Sequence, residues 1–231
     1  MSVMKKKTLA VLALVCVLAA MPAVAFGAGS SSNSSGGSSS GGSTSSNSGQ
    51  AIVAGSGSTV TVDATGVQMT GASTAPSQSG AVLGVVTSGT NAEGKMLTTD
   101  ANGNMIIGGE VTVMIGQAGS KTAGLPEAVV AQFNEFDTTK SMTSVLPQTA
   151  GYTVKEDINI NLYANGVAST TPQVVPIKWS GLTADMKDLK IGYYDNATGQ
   201  YVLAEIVGID YATQVINIRV SGSGTARILS K

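Results

Sequence analysis

Every aromatic residue of this 231-residue chain except Phe26 lies at or beyond Phe133, so no Phe, Tyr or Trp occurs between Gly27 and Gln132. Aromatic side chains bury the largest areas in a core. The stretch 51–119 must therefore pack with Val, Ile, Leu, Met and Ala, whereas 149–231 can build a conventional core around Trp179 and its tyrosines. The composition predicts two lobes: a small aromatic-free β lobe over 51–119 and a larger domain over 149–231, joined by a helix-containing linker over 120–148.

Ahead of the first lobe the chain changes character twice. Lys5, Lys6 and Lys7 precede an apolar run from Leu9 to Ala20, and Ala23-Val24-Ala25 forms an A-x-A cleavage site, so residues 1–25 read as a secretory signal. The run is too short for a membrane-spanning helix, which needs about 20 apolar residues. Cys16 sits inside it without the small preceding residue of a lipobox and is apolar filler. Residues 26–50 are dominated by Gly and Ser and carry too little apolar surface to offset the entropy of ordering. They read as a disordered tether.

Removal of the signal would leave 10 of the 13 basic residues against 14 acidic ones, a net charge of −4, with no histidine and no cysteine. Nucleic acid is excluded as a partner, because no basic patch can displace counterions from phosphate. An exported chain without disulfides must rely on core packing alone. The expected location is extracellular, at or near a cell surface, with no membrane span after signal cleavage.

Short β-branched runs fill the first lobe: 58–63 alternates Thr and Val, 81–86 is apolar, 96–99 and 105–107 flank Asp100-Ala101-Asn102-Gly103-Asn104, and 110–115 alternates again. This pattern predicts an antiparallel meander. Strands so poor in charge have weakly specified register and exposed-edge hazards, so the lobe is expected to need a protein partner, another copy of itself at a sheet edge, or the second lobe to cover it. A helix is expected over Pro126–Asp137, with Pro126 in the first turn, Glu127 at the positive end of the dipole, and Val129, Phe133 and Phe136 on one face.

Beyond Tyr152 the period is two. Val154, Ile158, Ile160 and Leu162 oppose Lys155, Asp157, Asn159 and Asn161 in a strand that ends at the Asn165-Gly166 turn. Val175, Ile177 and Trp179 alternate with Pro176 and Lys178, and Pro176 predicts an edge or bulge because it donates nothing to a ladder. Leu189, Ile191 and Tyr193 form a third strand, Asp195–Gly199 a turn, and further strands follow near 202–209, 215–220 and 226–229. The fold class expected is mainly β, with an antiparallel sandwich over 149–231.

The run Trp179-Ser180-Gly181-Leu182, the strand through Tyr193-Tyr194, the Asp195–Gly199 turn, Tyr201 and the two strands after it resemble the immunoglobulin-like β-sandwich modules of secreted and surface proteins of Gram-positive bacteria. The resemblance covers Thr149–Lys231. It implies a non-catalytic extracellular module used in adhesion, surface display or spacing, without the cysteine pair of antibody domains.

Catalytic chemistry has few footholds. Without His and Cys the usual general base, metal ligand and thiol nucleophile are missing together. Glu156, Asp157, Asp185 and Asp188 qualify for a carboxylate-based hydrolase by type only, and no Ser-x-x-Lys occurs beyond the signal. Asp100, Asn102 and Asn104 match the first ligands of a calcium loop, but Met105 and Val111 stand where that loop needs Gly and Glu, so a hairpin turn is expected. No enzyme, metal or cofactor is predicted. Leu146-Pro147-Gln148-Thr149-Ala150 resembles a sortase motif, yet the strand-patterned sequence after Ala150 makes it an extended linker. Asn91-Ala92-Glu93-Gly94 and Asn196-Ala197-Thr198-Gly199 share turn chemistry.

Two further expectations concern binding. Lys155, Lys178 and Lys190 are candidates for a Lys–Asn isopeptide bond, although alternation turns all three outward. Tyr194, Tyr201 and Tyr211 are the candidate ligand-binding residues: exposed together, they would stack on a sugar of a cell-surface or dietary glycan as carbohydrate-binding modules do. A structural or adhesive role through association is the leading expectation, and carbohydrate binding the alternative.

Overall fold

The computed structural model describes residues 60–231 apart from 76, 117–121, 123, 124, 140 and 187. The expected signal, tether and start of the first lobe lie outside the described residues. Within them the chain is mainly β, with one α-helix.

The fifth to eighth strands form the anticipated meander: β5 (Gly89–Thr90), β6 (Met96–Thr99), β7 (Met105–Ile107) and β8 (Val111–Ile115) pair in chain order. Earlier come β1 (Val60–Val62) and β2 (Gln68–Thr70), a separate two-stranded hairpin, and then β3 (Thr74–Ala75) and β4 (Leu83–Val85). The later strands are β9 (Thr153–Ala164), β10 (Val167–Ala168), β11 (Gln173–Trp179), β12 (Leu189–Asp195), β13 (Gln200–Asp210), β14 (Val215–Val220) and β15 (Gly224–Ser230).

Strands of the two stretches share one antiparallel sheet in the order β3-β4-β11-β14-β13-β12-β15-β9-β8-β7-β6-β5, with β10 paired beside β9. Its end strands, β3 and β5, are two residues each, a short ladder to offer another chain. Yet β4, next to one end, and β5, at the other, are separated only by residues 86–88. Four residue steps span at most about 14 Å. The sheet must curl until its two ends nearly meet.

The curl has a visible origin in β13. Its first half pairs with β12 and its second with β14, and the register slips between Ile206 and Gly208, leaving Val207 as an extra residue. Such a bulge bends and twists the strand. The inward faces then meet in one core: Leu83 and Val85 of β4, Val175 and Ile177 of β11 and Ile216 and Ile218 of β14 pack with Ile158 and Ile160 of β9, Val113 of β8 and Ile107 of β7. Each fully buried Val, Leu or Ile contributes roughly 1.5–3 kcal/mol over its exposed state.

A second bulge corrects one expectation. Ile228 pairs with Glu156 but Leu229 pairs with Val154, so Lys155 is extra. Val154 is thereby turned away from Ile158 and joins Leu229 on the outer face. Glu156 keeps the inward parity and is fully buried, where Ser77 Oγ (2.6 Å), the backbone N–H groups of Gln78 (2.9 Å) and Ser79 (3.1 Å), and Ser79 Oγ all donate to its carboxylate.

The helix α1 (Glu127–Thr139) starts one residue later than predicted, with the Pro126 carbonyl accepting from Val129 and Val130 at 2.9 and 3.0 Å. Its apolar stripe covers the outer face of the sheet. Phe133 and Phe136 lie against Tyr201 at centroid distances of 5.8 and 5.7 Å, and Phe133 meets Tyr194 edge-on at 6.4 Å. Beneath them the Arg227 guanidinium stacks 4.3 Å from the Phe133 ring and forks onto Asp157, with Nε–Oδ1 at 2.7 Å and Nη2–Oδ2 at 2.9 Å. This charge pair is buried on both sides. Residues 147–149 form a 3-10 turn rather than an extended linker, because Pro147 opens it and Thr149 Oγ1 donates to Leu146 O.

Candidate functional site

Three loops share one design, and two of them border β11. Asp63, Asn91 and Asp100 each begin a loop whose fourth residue, Gly66, Gly94 or Gly103, has φ between 76° and 84°. In each, the side-chain Oδ1 of the first residue accepts from the third and fifth backbone N–H groups at 2.8 to 3.1 Å. The first carbonyl also accepts from the glycine N–H. A left-handed residue is required there, which glycine supplies at least cost. The shared Asx-Ala-x-Gly spelling of 63–66, 91–94 and 100–103 was the available signal. Asp100 is thus engaged by its own hairpin, as Asn104 Nδ2 also donates to its Oδ2 at 2.8 Å.

The first two loops stand as opposite rims of a groove, and β11 pins both. Its outward positions are Val174, Pro176 and Lys178. The Val174 carbonyl accepts from Asn91 Nδ2 at 2.8 Å, while Lys178 Nζ pairs with Asp63 Oδ2 at 2.6 Å. Lys178 is fully buried, and its ammonium also donates to Thr65 Oγ1 (2.8 Å), Thr213 O (2.7 Å) and Gln214 Oε1 (3.2 Å). Burial pushes the Asp63 carboxyl up, but the hydrogen bonds from Lys178, Thr65 and Val67 outweigh it and hold it below its ordinary value. Lys178 therefore points outward, as alternation requires, without being exposed: the 63–66 loop and the 213–214 turn cover it.

Between the rims lies Pro176. Its strand is not at an edge, since β11 pairs with β4 on one side and β14 on the other. The Pro176 carbonyl accepts from Val86, one residue past the end of β4. A residue's N and O face the same neighbour in a strand, so the missing donor falls where the β4 ladder is ending and costs little. There the chain passes from β4 through 86–88 to β5 and borders a cavity of about 340 Å³, floored by Val67, Pro176 and Val215 and walled by Gln68, Ser88, Thr90, Asn217 and Asp210. Hydrogen bonds from the Thr213 hydroxyl, Thr213 N–H and Ala212 N–H hold the Asp210 carboxyl below its ordinary value, as does the nearby Lys178 charge.

The predicted tyrosines lie elsewhere. Tyr194 and Tyr201 come together at 5.0 Å, but under helix α1, with Phe133 against both. Tyr194 is buried and Tyr201 half-buried. Tyr211 is apart from them, packed against the main core and donating its hydroxyl to Met186 O at 3.0 Å. The three do not share one solvent-facing platform.

The candidate carboxylates are dispersed as well. Glu156 and Asp157 point to opposite faces of β9 and are already engaged: Glu156 by the 77–79 segment, and Asp157 by Arg227 and by Gln78 Nε2 at 3.1 Å. Asp188 accepts from the Tyr152 hydroxyl and pairs with Lys231 at 3.1 Å, and Asp185 is exposed on the loop before β12. Among the described residues no group of three or more Asp, Glu, His or Cys could hold a metal ion, and no helix is long and apolar enough to cross a membrane. The hydrogen-bond partners of Lys178 include no asparagine, and Lys190 donates to Gln148 O. No protein-family model, curated protein or solved structure matches the chain.

Proposed function

We propose that this is an exported, non-catalytic β module that works by association with further copies of itself. The observation that carries the proposal is the outer face of the β6–β10 region. Strand register aligns Thr98, Ile106, Thr112, Tyr163 and Ala168 in one row across five strands. All five are exposed or half-exposed, Met114 beside them is 43% exposed, and none carries a charge. A two-fold interface sets the same patch against itself, so a charged face would repel its own copy and a neutral one does not.

Other features support the same reading. The bulge in β13 sets the β4–β11–β14 side of the sheet against the β9–β8–β7 side across one core, as a sandwich would, which favours the likeness to immunoglobulin-like surface modules. The Lys5–Ala25 pattern favours export. Buried charges serve structure: Asp157 with Arg227, Asp63 with Lys178, and Glu156 with the 77–79 segment.

Light scattering on the purified protein between about 10 and 500 µM spans the affinities expected of such contacts. A mass that rises toward a dimer or polymer, and that returns to the monomer in an Ile106→Lys, Met114→Lys double variant, supports the proposal. A monomeric wild-type protein across that range overturns it.

A further inference from the structure

The groove over Pro176 has the marks of a binding site, and we propose that it takes a neutral, polyhydroxylated ligand of the saccharide class. Its walls are fixed before any ligand arrives. One rim is held by the buried Lys178–Asp63 pair and the other by Asn91 on the Val174 carbonyl, so closing on a ligand orders little new structure.

The chemistry of the lining selects the class. The side chains of Gln68, Ser88, Thr90 and Asn217 face the groove and make no hydrogen bond to another described residue. Each is a hydroxyl or an amide, able to donate and accept at once, as sugar hydroxyls do. Asp210 adds one ionised acceptor, and no cationic side chain lines the groove. Phosphorylated and carboxylated ligands would thus meet a negative charge with no cation in the lining, the Lys178 ammonium being buried behind the rim and paired with Asp63. The floor of Val67, Pro176 and Val215 offers C–H surface to a ring, and a cavity of about 340 Å³ falls at the small end of ligand sites. With a single carboxylate, the groove lacks the pair that glycoside hydrolysis requires, so the site binds without cleaving. It lies apart from the β6–β10 row and stands whether or not the protein self-associates.

Backbone amide NMR titrations with glucose, galactose, mannose, N-acetylglucosamine, cellobiose and maltose, and with glucosamine as the cationic comparison, test this. The floor has no aromatic ring, so dissociation constants of about 1 mM or weaker are expected, and titration to about 50 mM reaches them. The expected result is saturable shifts at Gln68, Ser88 and Asn217 with at least one of these sugars, weakened about tenfold by Asn217→Ala and unchanged by Met114→Lys. Asp210→Asn separates the charge classes: it should leave the neutral sugar bound within a few-fold. Absence of saturable shifts with every sugar, shifts confined to other surfaces, or binding of protonated glucosamine alone that Asp210→Asn abolishes would each overturn the proposal.

Discussion

Replacing Lys178 by methionine keeps most of the side-chain volume while deleting a fully buried ammonium that reaches four oxygen acceptors. Removing one member of a buried ion pair costs roughly 3–5 kcal/mol, because the partner's charge is left uncompensated. Here Asp63 retains the backbone N–H groups of Thr65 and Val67, and its side chain is 15% exposed, which relieves part of that penalty. Thr213 O and Gln214 Oε1 lose their donor as well. The expected loss is therefore about 3 kcal/mol, at the lower end of the range. For a domain of this size that lowers Tm by about 6–12 °C. Urea unfolding followed by the fluorescence of the buried Trp179 measures it directly.

The acid dependence supplies an internal check. Asp63 has a depressed pKa when folded, so its contribution is present above the unfolded carboxyl value of about 3.9 and is lost as pH falls through the lower folded value. The difference between wild type and Lys178→Met should shrink below about pH 4. A variant whose unfolding free energy stays within about 0.5 kcal/mol of wild type at pH 7 would refute the ion-pair account.

Arg227→Met should destabilise by about 3–5 kcal/mol and loosen helix α1, and adding Asp157→Leu should recover most of the loss; thermal melts of the single and double variants decide it, and additivity would count against the pair. Gly224→Ala should cost about 3 kcal/mol or prevent folding, since a methyl there would lie 2.2 Å from the Tyr194 carbonyl oxygen and 2.5 Å from the Tyr193 ring; a melting temperature equal to wild type would contradict that packing.

Alternation exposed the strands themselves. Ile158, Ile160 and Leu162 do face the core, the Asn165-Gly166 turn has the positive φ values of 51° and 76° that its spelling implies, and the helix carries Phe133 and Phe136 on its buried side. What alternation cannot say is whether the outward face stays in water. Lys178, Asp157 and Arg227 all occupy the outward positions of alternating strands, and all are buried, because a loop or a helix from a distant part of the chain lies over them. Tyr194 and Tyr201 misled for the same reason. The joining of β4 to β11 and of β8 to β9 was hidden too, since register between remote strands depends on the whole core and leaves no local pattern. The groove could have been approached through the repeated Asx-Ala-x-Gly loops, but not through any catalytic motif.

The three-residue hop from β4 to β5 bears on how the molecule is made. Residues 83–85 pair early with β3 but gain their second ladder partner only when 177–179 have been synthesised, and β8, already paired with β7, waits likewise for β9. The β1–β2 and β3–β4 pairs and the β5–β8 meander, by contrast, have their partners close at hand. Such delayed stitching raises the mean separation of contacting residues, so slower folding than that of a helical chain of equal length is expected, with one edge each of β4 and β8 left open until the last third has been made.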